Sequence, residues 1–120
     1  MNTKKILLVE DDQAFVDLIK LALRDFRFEI QVVEDGQSAL DLISKIQFDL
    51  IISDYRLPRA HGVEIARAAK KTSPKCQIVL ISAADSELIA SDTEHLDLLG
   101  FLQKPFSPGQ LREVVSKIAL

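Results

Sequence analysis

Glu10, Asp11 and Asp12 stand in a row where the apolar run Ile6–Val9 stops, and three later apolar runs also end in residues able to do chemistry. Asp54 comes after Leu50–Ile52, Ser82 after Ile78–Ile81, and Lys104 after Phe101–Leu102. Acids, a hydroxyl and one amine brought together would suit a hard divalent cation beside a phosphoryl group. Mg²⁺ prefers oxygen ligands and is commonly held by one or two carboxylates together with a phosphate. Two carboxylates 4 Å apart repel by about 4 kcal/mol at an effective dielectric of 20, so a cation supplies a reason for their coexistence. A carboxylate can also act as the nucleophile and form an aspartyl phosphate. The cation and Lys104 would then offset charge on the transferred oxygens.

The chain must supply elements that bring these positions together, and its hydrophobic pattern supplies them. Short continuous apolar runs alternate with longer stretches whose apolar residues fall three and four apart. Ile6–Val9, Leu50–Ile52, Ile78–Ile81 and Phe101–Leu102 read as strands buried on both faces, as in a parallel sheet. Glu29–Glu34 alternates polar with apolar residues and suits an edge strand.

Helices fill the gaps. The first follows an acidic turn and carries Phe15, Leu18, Ile19, Ala22 and Phe26 as a stripe; the second carries Ala39, Leu40, Ile43 and Ile46. The third follows Gly62 and ends before Ser73-Pro74, because proline disfavours helical geometry in the residue before it. A short fourth is expected over about Asp85–His95, anchored only by Leu88 and Ile89. The last opens on Ser107 as N-cap, with Pro108 at the first helical position and Gln110 completing a capping box. Five βα units with right-handed crossovers give one parallel sheet covered on both faces. In such a sheet ligands bind beyond the carboxyl ends of the strands, where the acids, Ser82 and Lys104 lie.

The 120 residues suit a single domain, 1–120, and a net charge of −3 argues against sequence-independent DNA binding by this chain alone. No apolar stretch approaches the roughly 20 residues of a membrane helix, and the start is unlike a secretory signal, so a cytoplasmic protein without membrane insertion is expected. The single cysteine, Cys76, has no internal disulfide partner and is read as structural.

Each site residue also has a plainer reading. Asp12 suits a solvated helix start, Asp54 alone a turn or cap, and Lys104 alone a surface charge. His61, before Gly62, reads as a solvated loop residue with nothing to orient it as a base, and His95 has no partner at ligand spacing.

Taken in order, Ile6-Leu7-Leu8-Val9-Glu10-Asp11-Asp12, Ser53-Asp54-Tyr55-Arg56-Leu57-Pro58 closing at Gly62, Ile81-Ser82-Ala83, and Phe101-Leu102-Gln103-Lys104-Pro105-Phe106 resemble the receiver domain of two-component response regulators over essentially the entire chain. The resemblance implies a flavodoxin-like (βα)5 fold with a five-stranded parallel sheet of order 2-1-3-4-5. It implies Asp54 as phosphoacceptor, with Mg²⁺ held by Asp11, Glu10, Asp54 and the backbone carbonyl of Arg56. Ser82 and Lys104 would contact the phosphoryl group, and the Lys104–Pro105 bond would be cis.

Phe101 falls at the switch aromatic that follows the motion of the Ser82 position; lacking a hydroxyl, it would respond through ring burial alone. Arg56 and Ala84 fall where the family tunes phosphoryl lifetime. A histidine kinase or histidine phosphotransfer protein would be the donor. A downstream protein target would read the surface of the fourth helix, fifth strand and last helix, with the receiver a monomer or weak homodimer.

Other readings stay open: a receiver module excised from a larger regulator or hybrid kinase, and a phosphorylation-independent pseudo-receiver scaffold, which would not need so strained an acidic set. An aspartyl-phosphate phosphatase would place its nucleophile after the first strand and need a substrate cap. A flavin mononucleotide carrier would want a hydroxyl- and glycine-rich loop where this chain has three acids.

Overall fold

The computed structural model describes residues 3–57, 59–83 and 96–118. Five strands, β1 (Lys4–Val9), β2 (Phe28–Val33), β3 (Leu50–Asp54), β4 (Gln77–Ser82) and β5 (Gly100–Gln103), form one sheet of order β2-β1-β3-β4-β5. Every neighbouring pair is parallel. Four helices are described: α1 (Gln13–Leu23), α2 (Gly36–Ile43), α3 (Gly62–Thr72) and a C-terminal helix, α4 (Pro108–Val115). The flavodoxin-like α/β architecture with order 2-1-3-4-5 is therefore as expected. The helix anticipated over Asp85–His95 lies outside the described residues.

Strand alternation divides the core in two. Ile6, Leu8, Leu50, Ile52, Val79 and Ile81 face α1 and α4, whereas Leu7, Val9, Ile51, Ile78 and Leu80 face α2 and α3. Residues of β1, β3 and β4 are buried from both faces, which is why these strands read as continuous apolar runs. The edge strand β2 keeps the alternation seen in its sequence, with Glu29 and Gln31 exposed.

Helix starts follow from short polar side chains that satisfy orphaned backbone amides. Asp12 accepts from the Ala14 N–H at 2.9 Å, and Asp35 from the Ser38 N–H at 2.8 Å. The Ser107 Oγ accepts from the Gln110 N–H at 3.1 Å, while the Gln110 Oε1 accepts from the Ser107 N–H at 2.8 Å. The acids therefore precede α1 instead of forming its first turn, and Asp12 is its cap. Phe26, Ile46 and Ile118 lie beyond the helices whose stripes they continue, yet all three still pack against the core.

Candidate functional site

Sheet register sets the geometry of the site. Val9 pairs with Ser53, so the next residues, Glu10 and Asp54, emerge side by side at the carboxyl edge. Asp54, the last residue of β3, pairs with Ile81, and Ser82 pairs with Gln103, which brings Lys104 to the same edge from β5. Alternation turns Glu10 and Asp54 toward the α1 side of the sheet, in line with Leu8 and Ile52. Ser82 falls on the opposite side, in line with Leu80.

Lys104 closes this edge. Its Nζ lies 2.8 Å from Glu10 Oε1, 3.1 Å from Asp54 Oδ1 and 3.3 Å from Asp54 Oδ2. Glu10 is 1% exposed and Asp54 7%, so both carboxyls have lost most of their water. Buried Glu10 Oε1 has that ammonium as its polar neighbour. The other oxygen of Glu10 accepts from the Asp12 N–H at 3.2 Å. The Lys104–Pro105 peptide is cis, as anticipated.

Protonation follows from this crowding. Burial, then the hydrogen bond and charge of Glu10, push the Asp54 carboxyl up to about 8 against the pull of Lys104. Burial works on Glu10 too, but hydrogen bonds from Asp54, Lys104 and the Asp12 amide outweigh it and hold Glu10 below its ordinary value. Burial opposes the Lys104 ammonium, yet its hydrogen bonds to Glu10 and Asp54 win and raise it. Of the two carboxyls, Asp54 is thus the one whose ionisation the site opposes.

Asp11 is exposed beside this pair, and one oxygen each from Glu10, Asp11 and Asp54 lie within 4.8 Å of one another. Three hard oxygen donors that cannot all ionise comfortably in isolation fit a small divalent cation. An open cleft of about 360 Å³ adjoins them, lined by Asp54, Arg56, Ile81, Ser82, Ala83 and Lys104. Ser82 is buried at the end of β4, and Arg56 is exposed at the rim. The structure thus gathers Glu10, Asp11, Asp54, Ser82, Arg56 and Lys104 at one place. Phe101 is half-buried one strand over, opposite Leu80 and against the α3-side core. Ala84 and His95 lie outside the described residues.

Two local roles were not visible in the sequence. His61 precedes α3, its Nδ1 accepting from the Leu57 N–H at 3.4 Å and its own N–H donating to Glu64 Oε1 at 3.5 Å, which accounts for it as a helix-start residue. Phe15, read only as part of a core stripe, has the Lys104 ammonium 4.1 Å from its ring centre. A period of three and four residues locates a buried ring but carries no sign of a cation from a strand end nearly ninety positions away.

Known proteins share this fold. The chain is 33% identical over 114 residues to the transcriptional regulatory protein CpxR of Escherichia coli K12, a match covering 95% of this chain and 47% of that protein. It spans about half the length of the curated relatives it matches. The chemotaxis response regulator CheY4 of Vibrio cholerae superposes with a TM-score of 0.86 at 26% identity, covering 98% of this chain and 100% of that one. The receiver domain of the sensor histidine kinase PA1611 of Pseudomonas aeruginosa, whose structure has a magnesium ion coordinated in its active-site cleft, shares the fold at a TM-score of 0.83 and 24% identity, covering 98% of each chain. Residues 6–116 match the family described as the response regulator receiver domain, and the chain belongs to that family.

Proposed function

We propose that this chain is a phosphorylation-operated signalling switch in which Asp54 accepts a phosphoryl group from a histidine kinase or histidine phosphotransfer protein. The observation that carries the reading is Lys104 Nζ bridging Glu10 and Asp54 at 2.8 and 3.1 Å on the carboxyl edge. A carboxylate nucleophile is thereby held beside a fixed cation.

Receiver domains bind Mg²⁺ at this acidic site, and here Glu10, Asp11, Asp54 and the Arg56 carbonyl are the residues that would hold it. When bound, the ion neutralises charge on the carboxylates and on the phosphoryl oxygens. The chain's own groups do the rest. An Asp54 oxygen, freed of its proton, forms a bond to phosphorus as the bond from phosphorus to the donor's imidazole nitrogen breaks, and the departing imidazole takes up a proton. The Lys104 ammonium meets one phosphoryl oxygen and the Ser82 hydroxyl donates to another. Later attack by water on phosphorus returns inorganic phosphate and the free carboxylate, so the only turnover is the chain's own dephosphorylation.

Ser82 moving toward the phosphoryl group makes room for Phe101, and the altered surface of β5, α4 and the segment 85–95, which lies outside the described residues, is read by a downstream protein. Arg56 and Ala84 tune how long the phosphoryl group persists. Glu10 and Asp54 in mutual repulsion favour this reading over a phosphorylation-independent scaffold, which has no use for a buried acidic pair.

Intact-mass measurement after incubation with Mg²⁺ and acetyl phosphate tests it. One labile phosphoryl adduct is expected, absent in Asp54→Asn and in the presence of a chelator. If the chain takes neither that adduct nor beryllofluoride, the scaffold reading replaces this one.

A further inference from the structure

The Lys104 ammonium is held from two directions. Glu10 and Asp54 take it in ion pairs at 2.8 and 3.1 Å, and the Phe15 ring lies beneath it with its centre 4.1 Å away. Phe15 is half-buried on α1. Buried Phe106, two residues beyond Lys104, packs beside that ring at 5.9 Å between centroids and 37° between planes. The loop that delivers the ammonium thus also fixes the ring beneath it.

A lysine ammonium is a compact, strongly hydrated charge on a flexible four-carbon stem. With its side chain 15% exposed, Lys104 has a route to water, and carboxylates alone do not fix its direction of approach. An aromatic face attracts the cation through its quadrupole and excludes water from the same side. A leucine at position 15 would continue the apolar stripe of α1 equally well without that attraction.

Resting on the reading of Asp54 as phosphoacceptor, we propose that Phe15 is a positioning residue for the transfer. Its ring holds the Lys104 ammonium at the edge shared by Glu10 and Asp54, where the phosphoryl oxygens arrive. A charge already in place stabilises the transferring group without first being gathered from solvent.

Stepwise fluorination of the ring drains its face of electron density at nearly constant shape. The whole chain is made with phenylalanine, 4-fluorophenylalanine or 3,4,5-trifluorophenylalanine at position 15, alongside Phe15→Tyr and Phe15→Leu. The rate of adduct formation from acetyl phosphate and Mg²⁺ is followed by intact mass. The rate is expected to fall in order of fluorine content, reaching about three- to tenfold for the trifluoro ring and for Phe15→Leu. Phe15→Tyr retains the natural rate, and melting temperatures stay level across the fluorinated series. In the unphosphorylated chain, the Lys104 Cε protons shift upfield in NMR spectra through the ring current, and the shift vanishes in Phe15→Leu.

A flat rate series on a chain that does form the adduct overturns the positioning role, as does the lack of an upfield shift in the natural chain. No adduct on the unfluorinated chain is a different failure, that of Asp54 as phosphoacceptor.

Discussion

Gly36 and Ala60 touch backbone to backbone: a Cβ on Gly36 would fall 2.6 Å from the Ala60 Cβ and closer still to the Ala60 carbonyl oxygen. Gly36 opens α2, and Ala60 belongs to the loop that leaves Asp54 and passes through Arg59 at a φ of 74°. The site's central strand is thus braced against a helix that contributes none of its chemistry.

Gly36→Ala tests this brace with opposing expectations. In an open helix the change would be favourable by up to about 1 kcal/mol through helix propensity. Here the added methyl meets backbone atoms that cannot rotate away, so the chain is expected to lose about 1–3 kcal/mol, as in other overpacked sites. Urea unfolding measures it, and a variant as stable as the natural chain would show that the loop yields freely.

The sequence carried most of this fold because its local signals agree with one another. Continuous apolar runs marked β1, β3 and β4, alternation marked the edge position of β2, and Ser107, Pro108 and Gln110 marked the start of α4 to the residue. The strand-end acids, Ser82 and Lys104 were legible as a site because parallel topology sends every strand end to one edge. The Gly36–Ala60 contact and the ring beneath Lys104 were not, since each joins two elements whose separate patterns are complete without it. Helix ends were also soft: Phe26, Ile46 and Ile118 keep the helical period while the backbone has already turned, because packing continues past the last regular hydrogen bond.

Cys76 offers a check on the core independent of the site. The residue is 3% exposed, and burial first of all pushes its thiol up to about 11, leaving only about one molecule in a thousand as thiolate at pH 8. Iodoacetamide at pH 8 is expected to leave the folded chain unlabelled and to modify it once in urea. Stability is also expected to fall as pH rises from 9 toward 11, where the unfolded chain ionises and the folded one does not. Native labelling at the rate of the unfolded chain would place the thiol at the surface.

Arg56 is exposed on the rim of the cleft that Asp54, Ser82 and Lys104 line. On the proposed function, a guanidinium on that rim would meet phosphoryl oxygens or the path of an attacking water and so alter the lifetime of the adduct. Arg56→Ala is expected to change the dephosphorylation rate by about threefold or more while leaving thermal stability unaltered, as for most surface changes. Phosphate release from the adduct, freed of acetyl phosphate and kept in Mg²⁺, provides the rate, and identical decay in both proteins would assign Arg56 no part in it.

Asp54 gives the metal-free chain a pH dependence of definite sign. Its ordinary value of 3.8 is raised to about 8 by burial and by Glu10, so between these limits the unfolded chain is ionised while the folded chain keeps its proton. Stability must therefore fall as pH rises through that window, by up to about 1.4 kcal/mol per unit. Glu10, shifted downward, contributes stability already in place above its ordinary value of 4.5 and adds little slope there. Asp54→Asn removes the ionisation and is expected to flatten the curve. Saturating Mg²⁺ should also flatten the natural slope, because binding displaces the Asp54 proton and leaves the folded and unfolded chains equally ionised there across the window. Urea midpoints at pH 5, 6.5 and 8, with and without Mg²⁺, separate these cases. Parallel curves for the natural chain and Asp54→Asn would mean that Asp54 is ionised alike in the folded and unfolded chains and that its carboxyl is not raised.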